Sequence, residues 1–86
     1  MPIICTFRGI KITINYNDHM PPHFHAYYGE HECCIDIEEL EQIAGEMPGK
    51  QLKMLLGWAA IHQEELQENW NLARQRQELF TIDPLR

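Results

Sequence analysis

The stretch His23-Phe24-His25-Ala26-Tyr27-Tyr28-Gly29-Glu30-His31-Glu32-Cys33-Cys34-Ile35-Asp36-Ile37 (HFHAYYGEHECCIDI, residues 23–37) decides how this chain folds. A glycine followed by a variable residue, set between two runs of strand-forming side chains, is the signature of a hairpin with a type II′ turn at Gly29-Glu30. Closing the chain there pairs Tyr28 with His31, Ala26 with Cys33 and Phe24 with Ile35, a mostly apolar set. Side chains alternate along a strand, so the opposite face pairs Tyr27 with Glu32, His25 with Cys34 and His23 with Asp36. One face of the hairpin has to be covered, and the other carries ionisable groups.

Working outward, Ile3 to Phe7 and Ile10 to Tyr16 form a second hairpin around Arg8-Gly9. A two-residue turn pairs Phe7 with Ile10, Cys5 with Ile12 and Ile3 with Ile14, all apolar, and leaves Ile4, Thr6, Lys11, Thr13 and Asn15 on the other face. Between the hairpins lies Asn17-Asp18-His19-Met20-Pro21-Pro22, a loop stiffened by prolines, which fix φ and lack a backbone donor. Beyond the acidic turn Glu38-Glu39-Leu40-Glu41, residues Gln42 to Glu46 make a further short strand. Pro48 suits the first turn of a helix. From there Leu52, Leu55, Leu56, Ala59, Leu66, Trp70 and Ala73 recur at three- and four-residue steps.

These patterns predict an α+β domain: an antiparallel meander of four to five strands with one long amphipathic C-terminal helix on its apolar face. The helix spans roughly residues 49 to 76, with a bend near His62. The tail Leu79-Phe80-Thr81-Ile82-Asp83-Pro84-Leu85 is apolar enough to dock.

Eighty-six residues, 1–86, are expected to form a single domain with a modest core. The 13 acidic and 7 basic residues give a net charge of −6, which disfavours RNA or DNA as the main partner because phosphate contacts need clustered cations. No apolar run approaches the roughly 20 residues needed to cross a bilayer, so no membrane role is expected. The start Met-Pro-Ile-Ile-Cys lacks the layout of a signal peptide. Cys5, Cys33 and Cys34 are an odd number without CxxC spacing and read as reduced thiols, which points to the cytoplasm.

The helix-free face of the sheet is where chemistry is expected. His23, His25, Tyr27 and Asp36 are the candidate catalytic residues: two imidazoles for acid–base work, Asp36 to orient His23, and Tyr27, with Lys11 or Arg8, to bind developing charge. Cys34 adds a thiol. The same region offers a candidate metal set of His19, His23 and His25, with Asp36 as an alternative third ligand, suited to zinc or a similar transition metal. H-x-H alone is not the spacing of a structural zinc site, and no other cofactor is indicated. The bland alternative is a polar sheet face whose histidines are satisfied by Asp36 and water. His62 reads as a core histidine bonded to a carbonyl or carboxylate, and Trp58 and Trp70 as core or interface anchors.

Taken together, the early aliphatic strand, PPHFHAYYGE at 21–30, ECCIDI at 32–37, Pro48 and HQEELQENWNLA at 62–73 resemble a small bacterial and archaeal family, domain of unknown function 4160. The family pattern falls on Pro21, Pro22, His23, His25 and Gly29, and on His62, Glu65, Leu66 and Trp70. Cys33-Cys34 replaces a small and an aliphatic residue, and the acidic turn at 38–41 replaces a tighter glycine-containing one. Members often lie beside a second short gene in a toxin–antitoxin-like arrangement. The resemblance therefore implies a cytoplasmic protein bound to a partner encoded nearby, or to itself as a homodimer. The leading expectation is a toxin–antitoxin-like module that works through a protein partner with the His23/His25 face as its functional surface; if it is the toxin, the His pair serves metal-independent RNA cleavage. The alternatives are a non-catalytic protein-binding module, antitoxin-like or adaptor, and a small metal-dependent enzyme with an H-x-H site.

Overall fold

In the computed structural model, which describes residues 2–85, five strands run in chain order as an antiparallel meander. They are β1 (Ile3–Phe7), β2 (Ile10–Thr13), β3 (His23–Tyr28), β4 (His31–Asp36) and β5 (Gln42–Glu46), followed by α1 (Gly49–Ile61) and α2 (Gln63–Arg74). The β3–β4 register is the expected one at all six positions, from Tyr28 opposite His31 to His23 opposite Asp36. Gly29 supplies the positive φ of 57° that the turn requires. At the first turn Arg8 and Gly9 both have positive φ, which twists that hairpin in the same right-handed sense.

Two local departures re-aim side chains. Phe7 pairs with Ile10 and Cys5 with Ile12 as expected, but Ile3 lies opposite Thr13 rather than Ile14, because Ile4 is an extra residue in β1. The bulge turns Ile4 into the core and leaves Ile3 half exposed. The tail fixes this choice, since the Ile82 N–H donates to the Ile4 carbonyl at 2.8 Å. A second bulge at Ile43 and the left-handed Gly45 bend the exposed edge strand β5, a shape that resists pairing with other chains.

The single long helix of the sequence reading is two helices of 13 and 12 residues. His62, at φ −109° and ψ 24°, leaves the helical region between them. The apolar period continues across this break, but the two halves have different targets. α1 lays Leu55, Trp58 and Ala59 on the apolar sheet face, where Trp58 meets Phe7 at 5.5 Å and Phe24 at 5.9 Å between ring centroids. α2 instead crosses the end of the sheet. Gln63 donates to the carbonyls of Ile37 and Glu38 just past β4, while Arg76 reaches Asn17 in the β2–β3 loop.

The tail docks. Buried Asn69 clasps the Phe80 backbone in both directions, at 2.9 and 3.0 Å, and the Trp58 indole donates to the Asp83 carbonyl. No helix among the described residues is long and apolar enough to cross a membrane.

Candidate functional site

Alternation along β3 puts His23, His25 and Tyr27 on the sheet face opposite Phe24 and Ala26. Cross-strand pairing sets Cys34 beside His25, and Thr13 beside it on the other flank. The β2–β3 loop then adds Asp18. Its Oδ2 lies 2.8 Å from His25 Nε2 and 3.3 Å from His23 Nε2, so both imidazoles converge on one carboxylate oxygen. The loop is held by Arg74 at the end of α2 and Arg76 just beyond it: Arg76 donates to the Asn17 side-chain oxygen at 2.8 Å, and Arg74 makes a long 3.5 Å contact with the Asp18 carbonyl.

Hydrogen-bond inventory fixes much of the chemistry. His23 Nδ1 lies 2.7 Å from the Pro21 carbonyl, which can only accept, so Nδ1 carries the proton. His23 Nε2 then faces the Asp18 carboxylate with its lone pair unless a proton or a cation stands there. His25 is engaged at both nitrogens: Nε2 with Asp18, and Nδ1 with Cys34 Sγ at 3.3 Å. With Nε2 donating to the carboxylate, Nδ1 accepts from the thiol. The result is a line of carboxylate, imidazole and thiol, with a second imidazole beside it, the two ring centroids being 5.1 Å apart. The indole of Trp70 stands 5.3 Å from the His23 ring and closes the end of the cluster.

The face is less open than an uncovered sheet. The His23, His25 and Asp18 side chains are 13, 14 and 22 % exposed. Thr13 is fully buried, and Thr13 Oγ1 and Asn15 Oδ1 have no hydrogen-bond partner among the described residues. On the α2 side an open cavity of about 460 Å³ is lined by Met20, Pro22, Glu38, Trp70 and Arg74 among others, and not by Asp18, His23, His25 or Cys34. The cavity shares the Trp70 indole with the histidine cluster.

The residues singled out from sequence are distributed as follows. His23 and His25 are together. Tyr27 lies one step further along the same face, under the Lys11 ammonium at 4.9 Å. Burial, reinforced by Glu32, pushes its phenol up, which keeps it protonated at neutral pH. Asp36 sits opposite His23 in register, but its Oδ1 accepts the backbone N–H groups of Glu38 and Glu39, at 2.8 and 2.9 Å. The carboxylate facing the imidazoles is that of Asp18. His19 is exposed in the loop, and its ring makes no hydrogen bond to a described residue. The third metal-ligating side chain beside His23 and His25 is Cys34, and one ligand atom from each of the three lies within 4.8 Å of the others. His62 bonds Glu65 at 2.6 Å, away from this cluster in the α1–α2 junction.

The thiols are free. Burial pushes Cys34 above the ordinary thiol range, and Asp18 and Glu32 push it the same way. Cys33, in the core, is pushed up to about 11 by burial, then by Cys34 and Glu32. A raised thiol holds less thiolate at neutral pH, so alkylation by iodoacetamide is expected to be slower at Cys34 than at free cysteine and to accelerate as pH rises. Cys34, the least buried of the three, is expected to react first. Mass spectrometry of timed samples reads this, and neutral-pH labelling of Cys34 faster than free cysteine would contradict it.

Residues 9–71 match the family model described as Domain of unknown function (DUF4160), and the chain belongs to that family. No curated protein and no solved structure matches the chain significantly.

Proposed function

We propose that this chain is the partner-bound member of a toxin–antitoxin-like pair, and that the Asp18–His23–His25 cluster is its working centre, activating water or a hydroxyl for attack on a phosphodiester or ester. The observation that carries the reading is the convergence of both Nε2 atoms on one carboxylate oxygen. Such an arrangement orients the rings and stabilises a positive charge between them, which a merely polar sheet face does not need. Arg74, which lies over the buried Trp70 ring, offers an anion contact along the adjoining cavity. With a net charge of −6, an RNA substrate would be held by such local contacts rather than by a general basic surface.

A non-catalytic docking role is favoured by a different observation. Ile61, Met20 and Ile43 are large apolar side chains that stand exposed, Ile61 at 71 %, which suits cover by a partner or a second copy.

One experiment separates the two. The chain is expressed in cells with and without its neighbouring gene, as wild type and as His23→Ala and His25→Ala. The catalytic reading expects a growth or RNA-integrity effect that either substitution abolishes while the purified variants stay folded and still bind the neighbour. If both variants keep the full effect, the cluster is not the working centre and the docking role stands.

A further inference from the structure

The histidine–thiol cluster has a feature that proton transfer alone does not explain. Its ligand atoms belong to the N and S types that a borderline transition metal prefers. Each is also already held. The Nδ1–H of His23 is anchored on the Pro21 carbonyl, so its Nε2 presents a lone pair inward. His25 is oriented from one side by Asp18 and from the other by Cys34. Anchoring of the second ring nitrogen by a carbonyl or a carboxylate is the usual support of a metal-bound imidazole.

We propose that His23, His25 and Cys34 together bind one divalent transition-metal ion of the zinc type, with the Pro21 carbonyl orienting His23 and the Asp18 carboxylate orienting His25. The three ligand atoms lie within 4.8 Å of one another. Tetrahedral zinc, with Zn–N about 2.0 Å and Zn–S about 2.3 Å, sets ligand atoms about 3.3–3.6 Å apart, so closing on the ion takes small side-chain movements only. The cation answers the conflict at His23, whose lone pair otherwise faces a carboxylate. At Cys34, binding forms the metal–sulfur bond and releases the thiol proton to solvent.

Three protein ligands leave a fourth position for water, which is the pattern of a catalytic rather than a structural zinc site. The ligand set differs from the His19, His23 and His25 group expected from sequence: His19 is exposed in the loop, and Cys34 takes its place.

This inference rests on the cluster being the working centre only for its use, since metal binding is measured without any activity. The purified 86-residue chain is stripped with a chelator and titrated with Zn²⁺ and Co²⁺, alongside His23→Ala, His25→Ala, Cys34→Ala and Asp18→Asn. Cys33→Ala and Cys5→Ala are controls from the core, and circular dichroism checks that each variant is folded. The wild type is expected to retain one ion per chain and to melt at higher temperature when loaded. With Co²⁺ it should show tetrahedral absorption and a sulfur-to-cobalt charge-transfer band. His23→Ala and His25→Ala lose stoichiometric binding, and Cys34→Ala loses the charge-transfer band, while both controls keep it. Asp18→Asn keeps the ligands and weakens binding by about 10–100-fold.

A wild-type chain that retains no ion, or a cobalt spectrum unchanged by Cys34→Ala, overturns the proposal. If no ion binds and His23→Ala still abolishes the cellular effect, the working centre stands and the metal falls. If the ion binds and the cellular effect survives the histidine variants, the metal stands and the catalytic reading falls.

Discussion

Replacing Asp18 by alanine should abolish the cellular effect proposed for this protein, whereas replacing Asp36 by alanine should leave that effect intact and cost stability instead. The two aspartates are easily confused in sequence, and their surroundings separate them. Asp18 Oδ2 is the shared contact of His25 Nε2 and His23 Nε2, at 2.8 and 3.3 Å. Without it the rings lose their common orienting charge, whether that charge balances a proton or a metal ion. Positioned acid–base groups are worth about 10²–10⁴-fold in rate, and a loss in that range is expected. Asp18→Asn keeps the shape and one acceptor but not the charge, so its defect should be smaller than that of Asp18→Ala.

Asp36 is 8 % exposed and spends its Oδ1 on the Glu38 and Glu39 N–H groups of the β4–β5 turn. Removing an acceptor from such donors costs about 1–3 kcal/mol. Urea unfolding together with the co-expression assay checks both halves. A folded Asp18→Ala variant with full effect, or an Asp36→Ala variant that is stable but inactive, would return the orienting role to Asp36.

The same pair of residues shows how far the sequence could be read. The β3–β4 register was legible because everything that sets it is local: the Gly29 turn and the alternation on either side. That logic places the Asp36 backbone opposite His23 correctly. It says nothing about where the side chain turns, and two backbone donors two and three residues on are nearer than a cross-strand imidazole. Asp18 was hidden for the opposite reason. Its place over the sheet depends on Arg74 and Arg76, 56 and 58 positions later in the chain, and no pattern within the loop reveals that contact. One signal was available: Asn17-Asp18 lies in a short loop stiffened by Pro21-Pro22, only five residues before the first histidine of β3.

Ile3-Ile4 was ambiguous because two adjacent isoleucines satisfy either register, and the tail bond from Ile82 to Ile4 decides between them. The helix break at His62 has no glycine or proline to announce it. It arises because Trp58 must meet Phe7 and Phe24 on the sheet face while Trp70 must reach His23 at the sheet end.

The largest loss of stability is expected at Trp58. It is fully buried, its ring lies against Phe7, Phe24 and His62, and its indole N–H donates to the Asp83 carbonyl at 2.8 Å. One side chain thus joins the sheet, the helix junction and the docked tail. Trp→Ala in a packed core costs about 3–5 kcal/mol. A domain of this size is stable by about 4–13 kcal/mol in all, so the variant should be close to unfolding at 37 °C. In thermal melts the midpoint should fall by roughly 12–40 °C, at about 4–8 °C per kcal/mol.

Trp58→Phe keeps most of the buried area and gives up the hydrogen bond, and is expected to lose about 0.5–1.5 kcal/mol for that bond, plus a smaller packing term. The consequence reaches the histidines through the chain itself. The Trp58 carbonyl accepts the His62 N–H, and the His62 carbonyl accepts the Leu66 N–H, so the seating of α1 sets where α2 begins. α2 in turn delivers Trp70 to His23 and Arg76 to the loop that carries Asp18. At a temperature where Trp58→Phe is still folded, its cobalt-binding affinity should therefore drop even though Trp58 touches no ligand. An unchanged melting temperature in Trp58→Ala would mean that α1 is held by something other than this indole.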